Sequence, residues 1–241
     1  MPNTIFFSEN FKEIGLRVRN KVEGPESALV SEFVGKKISA SKKCKNIAVF
    51  IEPEISTGYP DVVFVNYDAT KMEYWNKKRS QLKETEIKIL YYLMTGQKKQ
   101  TEEICHELGW SKSDVYDSLM MLWDSCMVMR ESGQWKVHCD IKDQLLITQI
   151  TAVEAKINDW KTVFEQAQMN SSFSHMSYVL TPTKEPSRKT LDYAKKIGVG
   201  IYGYSNNKIS RIVSSSKRHG VIGYNTLVFN EWLGKYLYSS L

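Results

Sequence analysis

Three residues of this chain have the types and spacing to do chemistry together. Asp61 follows Pro60 at the head of the apolar run VVFVNY, and Glu154 and Lys156 close the run ITAVEAK far downstream. Carboxylates at the ends of neighbouring strands are the hard oxygen donors that Mg²⁺ takes. Such a cation lowers the pKa of a bound water and stabilises the charge that builds on an attacked phosphate. A lysine beside it orients that water or adds positive charge at the phosphate. Side chains alternate along a strand, so Glu154 and Lys156 are expected on one face and Ala155 on the other. These residues point to metal-dependent cleavage of a phosphodiester. Glu52 and Glu54 end the strand before Asp61. Glu54 reads equally as a further metal ligand or as a solvated strand-end charge.

The elements that must position these residues follow from apolar periodicity. Pro25–Lys37 reads as a helix, with Pro25 in its first turn and Ala28, Leu29, Phe33 and Val34 as its stripe. Asn46–Ile55 and Asp61–Tyr67 read as strands separated by the breaker-rich STGYP. After the polar stretch ATKMEYWNKKRSQ, residues 82–138 read as a unit of their own. Helices are expected at Lys83–Met94, Gln100–Leu108 (stopped by Gly109) and Asp114–Cys126, the last with Val115, Leu119, Leu122 and Trp123 inward. A hairpin turning at Ser132–Gly133 follows. Three helices with a tight turn before the third, then a hairpin, describe a winged helix-turn-helix. Strands are then expected at Leu145–Val153, Met176–Leu180 and Gly198–Tyr204. Helices are expected at Asp159–Asn170, Ser187–Ile197 and Thr226–Tyr238, the last reached through the basic loop NNKISRIVSSSKRHG.

Pro60-Asp61 before one strand and Glu154-Ala155-Lys156 at the end of the next resemble the PD-(D/E)xK, or restriction-endonuclease-like, nuclease superfamily. The resemblance covers most of the chain outside 82–138. It implies an α/β fold, a mixed sheet flanked by helices, with the winged-helix domain inserted. The domains are then 1–81 as the first part of a nuclease core, 82–138 as the insert, and 139–241 as the second part. It further implies Asp61 and Glu154 as ligands of Mg²⁺, with Mn²⁺ able to substitute, and the carbonyl of Ala155 completing the set. Lys156 becomes the catalytic lysine. An acidic residue of the first core helix belongs to such sites, with Glu32 first and Glu26 behind it. Gln166, on the helix after the lysine strand, matches a supporting polar position, and Lys161 on that helix reaches toward phosphate. The function implied is a metal-dependent DNA endonuclease, commonly acting as a homodimer or with a recruited partner. Two alternatives stand beside it: a catalytically inactive DNA-binding or regulatory protein on this fold, and an assembly subunit recruited through its winged helix.

Charge limits the partners. The net charge of +6 over 241 residues leans mildly toward polyanions. It is uneven: 13 basic and 10 acidic residues over 1–81, 7 and 9 over 82–138, and 13 and 8 over 139–241, so the excess lies outside the insert. Within the insert the third helix carries Asp114, Asp117 and Asp124, which oppose a phosphate backbone. Lys98 and Lys99 before the second helix, Ser111, Lys112 and Ser113 at the turn, and Arg130 and Lys136 in the hairpin are its candidate DNA contacts, and docking to protein is the other reading. Outside it, Lys36, Lys37, Lys42, Lys43 and Lys45 after the first core helix, the run Lys77–Arg79, and Lys208, Arg211, Lys217 and Arg218 near the C-terminus are candidate phosphate contacts. The four cysteines form no CxxC pair, which argues against a zinc ribbon and suits a reducing compartment. No apolar stretch approaches the roughly 20 residues of a membrane span. A soluble, cytoplasmic protein is expected.

Overall fold

The computed structural model describes residues 4–20, 23–40, 46–96, 98–138, 141–182 and 185–240. Its elements, in chain order, begin with β1 (Thr4–Phe7), α1 (Pro25–Ala40), β2 (Asn46–Ile51) and β3 (Val62–Tyr67). Next come α2 (Glu84–Thr95), α3 (Thr101–Leu108), α4 (Lys112–Asp124), β4 (Val128–Glu131), β5 (Gln134–Val137) and the short α5 (Ile141–Gln144). The remainder are β6 (Ile147–Ala155), α6 (Trp160–Asn170), β7 (Met176–Thr181), α7 (Arg188–Ile197), β8 (Gly200–Ser205), β9 (Lys208–Val213) and α8 (Tyr224–Ser239). Two compact units result, one of residues 1–67 and 147–222, the other of 68–146 and 223–241.

The first unit is a mixed α/β structure built on a seven-stranded sheet of order β1-β2-β3-β6-β7-β8-β9. β3 runs antiparallel to both its neighbours, β6, β7 and β8 run parallel, and β9 returns antiparallel to β8. The inner strands are buried on both faces and read as unbroken apolar runs, as covered sheets require. Leu29, Val30, Phe33 and Val34 of α1 pack on Val153, Ala155, Tyr178 and Leu180 on one face. Val163, Phe164 and Ala167 of α6 pack on the alternate residues Val179 and Ile201 on the other, together with Ala194 of α7. Two edge strands lie where the sequence reading had none. Thr4–Phe7 pairs parallel with β2, stacking Phe7 on Phe50 at 4.5 Å. The basic loop after Tyr204 is in part β9: Asn206 and Asn207 both take positive φ (48° and 62°), which turns a tight hairpin.

The second unit holds the helices and hairpin expected of a winged helix. Ser111 accepts the Asp114 N–H at 3.1 Å and caps α4, and Gly109, at φ 68°, ends α3. The hairpin β4–β5 turns at Ser132–Gly133 (φ 49° and 82°), and Lys99 pairs with Trp135 to hold it to the start of α3. The expected limits 82–138 are too narrow, because α8 belongs here and not to the sheet. Its residues 225–234 are all buried. Glu231 meets Arg79 at 2.9 Å, both side chains almost wholly inaccessible, and Asn230 accepts the Leu146 N–H at 2.8 Å. Gly234 admits the Trp75 ring, which any Cβ there would meet at 2.0 Å. A helix buried all round names no partner in advance. Among the described residues no helix is long and apolar enough to cross a membrane. Cys44, Cys139, Lys42, Lys43 and Lys45 lie outside the described residues.

Candidate active site

The site forms where the sheet ends. Asp61 immediately precedes β3, whose Val62 pairs with Val153 of the antiparallel β6, and this brings Asp61 against the last residues of β6. The Ala155 N–H donates to Asp61 Oδ2 at 2.6 Å, and Asp61 is hydrogen-bonded to Glu154. Glu154 is 3% exposed and accepts Asn170 Nδ2 of α6 at 2.5 Å. Burial pushes the Asp61 carboxyl up to about 6 against the pull of the Ala155 N–H, and Glu52 and Glu26 add to the rise. Burial, then the nearby Asp61, holds Glu154 well above the usual carboxylate range. Two carboxyl groups bonded to each other need a proton between them, which marks a place short of positive charge.

Lys156 does not share the Glu154 face. β6 ends at Ala155, and the Lys156 side chain turns to α1, where Nζ donates to Glu26 Oε2 at 3.1 Å. Glu26 Oε1 also accepts the Ile157 N–H at 3.4 Å. Asp61, Glu26 and Glu52 line a cleft of about 830 Å³. Glu52 holds φ 45°, a left-handed conformation rare outside glycine and asparagine, and its N–H donates to the Asp61 carbonyl at 3.1 Å.

Three of the expected supporting residues stand elsewhere. Glu32 is exposed and faces the Tyr204 hydroxyl; Glu26, on the inner stripe of α1, is the acid of that helix at the site. Gln166 is exposed, and the buried face of α6 is Val163, Phe164, Ala167 and Asn170, so Asn170 supports the carboxylates. Glu54 is exposed and its N–H bonds the Arg17 carbonyl, while Glu52 takes the side toward Asp61. The periodicity of both helices contained the first two answers. The left-handed turn at Glu52 left no trace in the sequence. Among the described residues no three His, Cys, Asp or Glu side chains converge as a ready metal-ligand group.

The candidate phosphate contacts divide sharply. Lys161 is exposed on the first turn of α6, and Lys217 is exposed in the loop after β9. Arg218 is exposed, with Nη1 on the Ser171 carbonyl at 3.1 Å. Arg79 is fully buried against Glu231 and faces no phosphate. In the winged helix Lys112 is bound to Glu102 at 2.6 Å, and Lys136, at 2.7 Å, shares Glu131 with Lys98. Trp123 is 43% exposed where the sequence reading put it inward, and Tyr116 and Met120 are exposed beside it on the outer face of α4.

Residues 78–143 match the family described as Sugar-specific transcriptional regulator TrmB. That match supports a helix-turn-helix DNA-binding module in the second unit. No curated protein and no solved structure matches the chain.

Proposed function

We propose that the first unit is a divalent-cation-dependent phosphodiesterase acting on DNA, and that the winged helix brings it to DNA or to a protein partner. The observation that carries this reading is the buried Asp61–Glu154 pair, joined by a hydrogen bond and held by Ala155 and Asn170 at the edge of a cleft. The donor set fits Mg²⁺ or Mn²⁺: Asp61, Glu154 and the Ala155 carbonyl would hold the ion through oxygen, leaving the other positions to water. When bound, the ion supplies Lewis-acid activation of water and neutralises charge at the phosphate. Asn170 and the Ala155 N–H fix the two carboxylates in place. Lys156, a third exposed, stands ready to donate to a phosphate oxygen or to orient the attacking water, and Glu26 holds its ammonium at that position.

The test is nicking of supercoiled plasmid and of single-stranded circular DNA with Mg²⁺, Mn²⁺ or EDTA. Metal-dependent nicking by the wild type, lost in Asp61→Ala and in Lys156→Ala, is expected. Nicking that survives Asp61→Ala would place the chemistry elsewhere. The family match at 78–143 favours a second reading, a DNA-binding regulator whose α/β unit has no catalytic role. Metal-independent DNA binding without nicking under any condition would select it.

A further inference from the structure

One row of residues links the carboxylate site to the far side of the sheet. Ala155 stands opposite Leu180, Leu180 opposite Tyr202, and Tyr202 opposite Arg211. Strands spaced about 4.8 Å apart put Tyr202 roughly 10 Å and Arg211 roughly 14 Å from Ala155. α1 crosses the same row. Near its start Glu26 holds Lys156; near its end Lys37 donates to the Tyr202 hydroxyl at 2.8 Å. Tyr178 stacks on Tyr202 at 4.3 Å and fixes that ring. Lys36 bonds the Asn207 carbonyl in the β8–β9 turn. Arg211 is exposed and, among the described residues, forms no ion pair with a carboxylate. Burial lowers the Lys37 ammonium, Tyr178 opposes that, and Arg211 lowers it further, so two cations are held close enough to repel. An anion arriving between them relieves both the repulsion and the lost solvation. The winged helix offers a contrast to Arg211, since Lys98, Lys112 and Lys136 are already bound to glutamates.

We propose that Lys36, Lys37 and Arg211 form a phosphate subsite for a nucleic-acid strand whose backbone runs along the ends of β6, β7 and β8. At 3.4 Å of helix axis per base pair, the separation spans about three to four base pairs of duplex measured along the axis. The direction of that path rests on the phosphodiesterase reading; the phosphate subsite itself does not.

Fluorescence anisotropy of a labelled 20-nucleotide strand and its duplex, in EDTA over a salt series, tests it. The double variant Lys37→Gln/Arg211→Gln should weaken binding about tenfold or more at low salt. It should also flatten the slope of log affinity against log salt by about 1.4 to 1.8, two phosphate contacts' worth. The charge-preserving Lys37→Arg/Arg211→Lys should keep the wild-type slope. Thermal melting of both variants checks that each is folded. An unchanged slope in the glutamine variant, or a wild type that binds neither probe, overturns the proposal. Metal-dependent nicking is scored on the same proteins. A flattened slope without wild-type nicking keeps the subsite and sinks the phosphodiesterase reading, and nicking with an unchanged slope does the reverse.

Discussion

The acidic groups of the two units live under opposite rules. In the second unit Glu131 is solvated and held by Lys136 and Lys98, whose hydrogen bonds pull its carboxyl down to about 2. Glu231 of the same unit is buried, and Arg79 is buried with it. In the first unit Asp61 and Glu154 are buried beside each other, and the nearest ammonium, Lys156, is engaged by Glu26. A carboxylate that has its cation is structural. A buried pair without one keeps a proton or takes a metal ion, and such perturbed pairs concentrate at functional sites. The same contrast, read from the cations, explains why the basic residues of the winged helix leave little net charge for DNA.

The largest expected effect removes a cation where one exists. Arg79→Ala strands Glu231 in the interior and should destabilise the second unit by about 3–5 kcal/mol, read by urea unfolding. A cost below about 1 kcal/mol would mean that Glu231 reaches water or another donor.

Next comes the reverse change where no cation exists. Asp61→Asn keeps an acceptor for the Ala155 N–H and ends the repulsion with Glu154. The folded Asp61 carboxyl sits near 6, above its ordinary 3.8. Its stabilising contribution is therefore complete below about pH 4 and is lost as pH rises through 6. The variant should gain on the wild type over that window, by up to about 3 kcal/mol at pH 8 and by almost nothing at pH 4. Chemical denaturation at the two pH values checks this, and a gain independent of pH would contradict it.

Smaller effects separate the site from its surroundings. Asn170→Ala should lower Mn²⁺ affinity about 10- to 100-fold, as loss of an outer-shell partner does, while Gln166→Ala leaves it unchanged. Equal effects would return Gln166 to the site. Smallest of all, Glu131→Gln releases Lys98 and Lys136 and should tighten DNA binding about two- to threefold at low salt with a steeper salt slope. Unchanged affinity and salt slope would show that the wing does not touch DNA.

Much of the α/β unit is legible in the sequence, because buried strands such as VVFVNY and ITAVEA have no other stable reading. The helices around them are legible by stripe. That stripe also favours Glu26 over Glu32 and Asn170 over Gln166, because Glu26 and Asn170 lie at helical phases nearer the buried face of their helices. Residue chemistry, weighed above helix phase, points instead to Glu32 and Gln166. Other features are not local. Edge strand β9 hides behind lysine and serine because an edge tolerates them, with only the Asn206-Asn207 pair as its signal. The unit to which α8 belongs depends on Arg79, Leu146 and Trp75, far from it in sequence. The bend that swings Glu52, and not Glu54, toward Asp61 is a single backbone angle.

Calorimetric titration of Mn²⁺ into the wild-type protein and into Asp61→Asn at pH 7.5 tests the central claim most directly. Saturable binding by the wild type, with protons released and the heat lost in the variant, is the expected result. No binding by the wild type, or equal binding by both proteins, would contradict a cation-seeking pair at Asp61 and Glu154.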